Sequence, residues 1–107
     1  MTELVEARPH AAQGTLLWQQ NLIGTANGFG QAFSVAVDNQ GNVVTAGGTN
    51  IGFTVAKFDR GGTLLWEQNL NAGASGFGGT SVAVDNQGNA VAAGQTLNDS
   101  TVAKFAR

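Results

Sequence analysis

The acidic residues whose spacing comes nearest to that of a metal site lie in a stretch that the chain contains twice. SVAVDNQGN occurs at residues 34–42 and again at 81–89, and its aspartate, Asp38 or Asp85, precedes a run of polar residues, as in a calcium loop. An EF-hand loop also needs further carboxylates and a glycine at its sixth position, whereas this glycine comes fourth. Aspartate first and glycine fourth is the pattern of a type I turn. We therefore expect tight turns here and no metal site.

Two loops with the sequences NGFG and SGFG offer aromatic rings that could contact a ligand. Phe29 and Phe77 either plug the packing between neighbouring units or stack on a sugar or peptide. Two further loops, GTNIGF and QTLNDS, differ between otherwise similar segments, which indicates either neutral drift or a binding role. The candidate ligand-binding residues in these loops are Asn27, Phe29, Asn50, Ile51, Ser75, Phe77, Asn98 and Asp99.

The sequence shows no arrangement that is typical of catalysis. His10 is the single histidine and lies in a polar leader, and there is no cysteine or tyrosine. A proton-transfer site needs neighbouring groups that tune the pKa of its acid or base, and most of the aspartates fall in turn sequences instead. We expect no catalytic residue and no cofactor.

Composition excludes several other classes of function. Charged residues make up 11% of the chain and the formal net charge is −2, so the basic face that nucleic-acid binding requires is missing. No apolar run approaches the ~18 residues of a membrane span, and the N-terminus lacks the features of a secretory signal. We expect no nucleic-acid or membrane partner, and a cytoplasmic location if the chain is complete.

A tandem duplication positions all of these residues. Residues 14–61 align with 62–107, with GTLLWQQNL matching GTLLWEQNL and TVAKF recurring near the end of each copy. Such self-similarity at a period of ~40–50 residues is typical of repeat architectures. Residues 1–13 lie outside the duplication, and we expect them to form a flexible leader.

Each repeat unit reads as four short strands, which over residues 31–70 are QAFSVAVD, NVVTAGG, FTVAKF and TLLWEQNL. Valine, threonine, phenylalanine and tryptophan favour strands, and turn sequences separate the segments. Several of the strands are apolar or small on both faces, which indicates a sheet that is covered on both sides. The fold class predicted is all-β, with four-stranded antiparallel meanders as β-propeller blades.

The order of the strands predicts self-association. The chain starts with an isolated outer strand at 15–22, continues with the four strands of one blade over 31–70, and ends with a blade at 79–106 that lacks its outer strand. A lone blade leaves its faces bare, and rings typically contain about four to eight blades. We expect the strand at 15–22 to complete the blade of a neighbouring chain, giving a homotrimer of six blades or a homotetramer of eight.

Repeated tryptophans and lysines have more ordinary expected roles. Trp18 and Trp66 should pack between blades. Lys57 and Lys104 occupy matching positions in apolar strands, where each either snorkels past its neighbours or pairs with a carboxylate such as Asp59.

The segments VAVDNQGNVVTAGGT and TVAKFDRGGTLLW resemble the bacterial β-propeller repeat of the SBBP type, over residues 14–107. The resemblance implies a propeller blade, frequent membership in surface or secreted proteins, and no fixed catalytic residues. Val44 and Val91, with Gly48 and Gln95, stand where that repeat often has aromatic residues. In architecture the chain is also similar to small bacterial lectins in which two-bladed chains trimerise, although their sugar-binding motif is not evident.

Together these observations predict a non-enzymatic, oligomeric β-propeller that acts as a binding or scaffold module. Lectin-like weak sites would be repeated on its rim loops, with carbohydrate or protein as the ligand. The alternative is a purely structural repeat, or a fragment of a longer propeller, with no ligand of its own. An enzyme ranks third.

Overall fold

The computed structural model describes residues 12–21, 30–49, 52–70, 79–96 and 99–107, and these contain seven strands and no helix. No described segment is a helix that could cross a membrane. The strands are β1 (Gly30–Val37), β2 (Val43–Thr49), β3 (Gly52–Phe58), β4 (Leu64–Leu70), β5 (Gly79–Val84), β6 (Ala90–Thr96) and β7 (Asp99–Phe105). The predicted all-β class is confirmed.

The strands form two antiparallel meanders, each in sequence order. Sheet 1 contains β1-β2-β3-β4, and sheet 2 contains β5-β6-β7. No strand is assigned within residues 12–21, which include the described part, 15–21, of the segment predicted to be an outer strand. Its pairing with a neighbouring chain stays a prediction, and residues 1–11 of the predicted leader lie outside the described residues.

The DNQG turns fold as their sequence predicts. Asp38 Oδ1 accepts hydrogen bonds from the backbone N–H groups of Gln40, at 2.8 Å, and Asn42, at 2.9 Å. The N–H of Gly41 donates to the carbonyl of Asp38, and Gly41 has φ +84°, a left-handed conformation that side chains other than that of glycine rarely adopt. The second copy repeats these bonds around Asp85.

The two sheets pack face to face through an apolar core. Because strand residues alternate between faces, one face of sheet 1 and one face of sheet 2 supply this core. Partly buried aromatic and aliphatic side chains close its edge, including Trp66 and Phe105. The buried residues are Val44, Ala46, Phe53 and Val55 of sheet 1 and Val82, Ala90 and Ala92 of sheet 2.

The expectation of strands covered on both sides holds fully for β3. All seven of its residues are buried, including Thr54 and Lys57. The outer strand β4 is exposed or half-buried throughout. Burial therefore increases from the edge of sheet 1 towards its third strand.

Truncating the core should cost far more than truncating the edge. Val55→Ala removes two methyl groups from a site with no solvent exposure, so we expect the free energy of unfolding to fall by about 2 kcal/mol. The control is Leu65→Ala on β4, which is about half exposed and should change stability by roughly 0.5 kcal/mol or less. Urea unfolding at one fixed chain concentration measures both, and equal losses would contradict this placement of the core.

Candidate functional site

The residues predicted to bind a ligand fall almost entirely outside the described part of the chain. Only the backbone of Asp99 is described, where it begins β7 opposite Thr96. The predicted ligand-binding roles therefore stay predictions. The residues outside the described ranges are Asn27, Phe29, Asn50, Ile51, Ser75, Phe77 and Asn98.

The strands that flank these loops nevertheless all end at the same end of the sheets. In sheet 1, Gly30 pairs with Thr49, Thr49 with Gly52, and Phe53 with Leu70. The DNQG turns lie at the opposite end, where Val37 pairs with Val43. The described strand ends that flank the candidate loops of sheet 1 thus lie at the end opposite to the DNQG turn.

A polar groove lies between the two DNQG turns, at that opposite end. Asp38 and Lys57 line it from sheet 1, and Asp85 and Arg107 line it from sheet 2. Arg107 Nη1 donates to the carbonyl of Gln87 across 3.3 Å. The described part of the chain contains no cluster of three acidic or histidine side chains that could hold a metal ion.

Each lysine pairs with the aspartate of its own turn. Lys57 Nζ lies 3.6 Å from Asp38 Oδ2, and Lys104 Nζ lies 3.0 Å from Asp85 Oδ2. The expectation of an ion pair is confirmed, but Asp59 is the wrong partner for Lys57. Lys57 pairs with Val44, the second residue of β2. This register places the lysine next to the β1–β2 turn, which contains Asp38. The recurrence of both residue types at matching positions was the signal in the sequence that could have identified the pair.

Hydrogen bonds and charge keep both turn aspartates ionised. Burial raises the pKa of Asp38, but hydrogen bonds from Asn42 and Gln40 and the charge of Lys57 outweigh burial, so the pKa lies below 3.8. The bond to Lys104, with further bonds from Asn89, holds the pKa of Asp85 well below its ordinary value. Each turn thus keeps a charged carboxylate well into the acid range.

The outward faces of the two sheets are the second notable surface. We call the face of sheet 1 that contacts sheet 2 its front face, and the face of sheet 2 that contacts sheet 1 its back face. Residues 34–58 align with residues 81–105 without a gap. The outward back face of sheet 1 can therefore be compared with the buried back face of sheet 2, and the outward front face of sheet 2 with the buried front face of sheet 1.

That comparison shows large apolar side chains in solvent. Val82, on the buried back face of sheet 2, is 8% exposed, whereas its counterpart Val35 on sheet 1 is 64% exposed. Val55, on the buried front face of sheet 1, is 0% exposed, whereas its counterpart Val102 on sheet 2 is 74% exposed. Val35 and Val102 are thus exposed at positions whose repeat counterparts are buried, although the faces are not identical, since the buried Phe53 of sheet 1 corresponds to Ser100 in sheet 2.

Residues 12–21 contact sheet 1 through a tryptophan. The ring of Trp18 lies 5.7 Å from that of Phe58 at an angle of 40°, and its Nε1 donates to the carbonyl of Arg60 at 3.0 Å. The ring of Trp66 on β4 lies 5.6 Å from that of Phe105 at 38°. Trp66 thus packs between the two sheets, whereas Trp18 packs on sheet 1 alone, so the expectation that Trp18 packs between blades stays a prediction.

The chain gives no match to any family model, and no curated protein and no solved structure matches it significantly.

Removing the charge of Asp38 should weaken the fold and change its response to acid. Asp38→Asn leaves the buried Lys57 without its carboxylate, so we expect the free energy of unfolding at pH 7 to fall by about 1–3 kcal/mol. Because the pKa of Asp38 is lowered on folding, its contribution is present above about pH 4 and is lost as the pH falls through the folded-state value. Urea unfolding between pH 7 and pH 2 should therefore show a shallower acid loss for the variant.

Asp59→Asn is the matched control. Asp59 Oδ1 accepts the same type of turn bonds, from Gly61 and Thr63 at 2.9 Å each, and no lysine in the described ranges pairs with it. We expect a smaller loss of stability at pH 7 than for Asp38→Asn, because no buried lysine loses its partner. Equal behaviour of the two variants would contradict the role given to the Lys57 pair.

Proposed function

We propose that the chain is a self-associating β-propeller module without catalytic activity of its own. Each sheet acts as one blade, and three or four copies close into a ring of six or eight blades, within the range of about four to eight that propellers use. The resemblance of its repeated segments to SBBP repeats supports this assignment.

One observation carries the proposal: a front face and a back face pack on each other within the chain, and a second front face and a second back face point outward. The front face of sheet 1 already packs on the back face of sheet 2. The front face of sheet 2 and the β1 side of the back face of sheet 1 expose the corresponding valines, Val102 and Val35, although Ser100 stands at the position of Phe53. Two different faces that fit each other give a head-to-tail contact, and such contacts form a ring when the rotation closes.

A polar contact reinforces the match of the faces. Ser34 on the front face of sheet 1 accepts a hydrogen bond at its Oγ from the backbone N–H of Val82 in sheet 2, at 3.2 Å. Ser81 is the counterpart of Ser34 and is exposed, and Val35 is the counterpart of Val82. Ser81 of one copy is therefore available to bond the N–H of Val35 of the next.

A closed ring would make the module a repeated binding surface. The candidate loops leave from one end of the sheets, so every copy would present them on the same rim. Several identical weak sites on one rigid ring raise the avidity for a multivalent ligand without new contacts. Carbohydrate is the ligand we favour, because the loops supply amide groups and phenylalanine rings, and protein is the next candidate.

A charge introduced on the exposed back face of sheet 1 should prevent association. We expect the unaltered chain to elute as three or four copies of the 10.9 kDa unit in light scattering after size-exclusion chromatography. Val35→Lys should give the single-chain mass, since a desolvated unpaired charge is costly, while the fold survives because Val35 is exposed in one chain. Gln40→Lys, in an exposed turn, is the control and should keep the larger mass. A single-chain mass for the unaltered protein at every concentration would overturn the proposal.

Ligand binding by the rim is tested separately from association. We expect a glycan array to give a signal that Phe29→Ala combined with Phe77→Ala abolishes while the oligomeric mass is unchanged. If that variant instead loses the oligomeric mass, the two rings are packing plugs. An intact ring with no signal on glycan or protein arrays would favour the purely structural repeat.

A further inference from the structure

We infer that residues 15–21 of one chain pair with the free edge of β7 in a second copy and form the fourth strand of sheet 2. The register follows that of β3 with β4 and sets Trp18 opposite Lys104 and Gln20 opposite Val102. This inference rests on the self-association proposed above and specifies the atoms through which it occurs.

The sequence of the segment is that of an outer strand. TLLWQQNL at residues 15–22 differs from TLLWEQNL at 63–70 in one position. Within sheet 1, Lys57 pairs with Trp66 and Val55 pairs with Gln68. The inferred register replaces each of these four residues by its repeat counterpart.

The segment already lies where the outer strand of a preceding sheet would lie. Trp66 of β4 packs on Phe105 of the following sheet, and Trp18 packs on Phe58 of sheet 1 with nearly the same ring distance and angle. The relation of residues 12–21 to sheet 1 is therefore the relation of β4 to sheet 2. A sheet packed on the back face of sheet 1 would meet this segment at its outer edge.

The start of the segment also has the conformation of the start of β4. Gly62, in the turn before β4, has φ +92°, and Gly14, its counterpart, has φ +86°. At Gly62 an added Cβ would lie 2.8 Å from ring carbons of Trp18, so glycine is required for the tryptophan to pack there. At Gly14 no described heavy atom lies within 4 Å of such a Cβ, which leaves the corresponding place open for Trp66 of a second copy.

Sheet 2 lacks the matching element on its side. Among the described strands, β7 pairs only with β6, which leaves one of its edges without a ladder partner. The side chain of Lys57, next to β4, is 6% exposed, whereas that of Lys104 on β7 is 58% exposed although both lysines bind their aspartates. A strand at the free edge, with the tryptophan opposite Lys104, would cover this lysine as β4 covers Lys57.

A buried donor marks the same place. Trp18 Nε1 donates to the carbonyl of Arg60, in the turn that joins the third and fourth strands of sheet 1. Trp66 Nε1 is buried and has no hydrogen-bond partner in the described structure. In sheet 2 the corresponding turn would be assembled from Arg107 and the second copy's residues 12–14, which supplies carbonyl groups where this donor needs one.

Disulfide trapping between two single-cysteine variants tests the register, because the chain has no cysteine of its own. Gln20→Cys and Val102→Cys chains, one carrying a size tag, are mixed, allowed to exchange and oxidised with oxidised glutathione. Opposed strand residues lie about 4.5–5.5 Å apart at Cα, within the range that a disulfide spans. We expect the mixed dimer to form at least about tenfold faster than with Gln19→Cys in place of Gln20→Cys, because that side chain points to the other face.

The outcomes separate this inference from the function on which it rests. Oligomers of the expected mass whose two pairs cross-link at equal rates would overturn the strand register and leave the self-association standing. A single-chain mass for the unaltered protein and for both variants would overturn both. Loss of the oligomer in the Gln20→Cys chain alone is resolved with Asn21→Cys and Thr101→Cys, the next pair in the register, and failure of this pair to cross-link would also overturn the inference.

Discussion

Face-to-face packing of one sheet on another is the interaction on which the rest of this structure depends. A strand that is apolar on both faces is stable only when a layer covers each face, because exposed valine and phenylalanine forfeit the free energy of burial. The front face of sheet 1 meets this requirement with Phe53 and Val55 against Val82 and Ala92. The same requirement applied to Val35 and Val102, which lie in solvent, is the basis on which we propose a second copy as the partner of this chain.

Because the chain is duplicated, the same requirement for a covering layer applies to each repeat. Because the two faces of a repeat differ and fit each other, each added repeat buries one face and presents another of the same kind, as in other repeat arrays. In the proposed assembly Trp18 and Trp66 would occupy equivalent places, since Trp18 packs on Phe58 at the end of β3 and Trp66 packs on Phe105 at the end of β7. Closure into a ring is the arrangement that leaves no face bare.

The lysine–aspartate pairs carry a different physical cost. Lys57 is buried, and a buried ion pair is retained only when geometry and further hydrogen bonds offset desolvation. Here Asp38 receives bonds from Gln40 and Asn42, so the turn that reverses the chain also neutralises the lysine beneath it. The carboxylate of Asp38 thereby links the turn at the end of β1 to the third strand, β3.

The sequence by itself determined β1 to β7, their meander order and the turns, because strand-forming residues and an aspartate–glycine spacing act over a few neighbouring positions. It also determined that Trp66 would pack between repeats. It left Lys57 either extended past its apolar neighbours or paired with a carboxylate such as the nearby Asp59, because separation along the chain does not tell which turn a strand register brings close. Only the tertiary structure brought Asp38 to it. Likewise, Val55 and Val102 both lie in the sequence TVAKF, which could not reveal that one is buried and the other exposed, since burial depends on which sheet lies alongside.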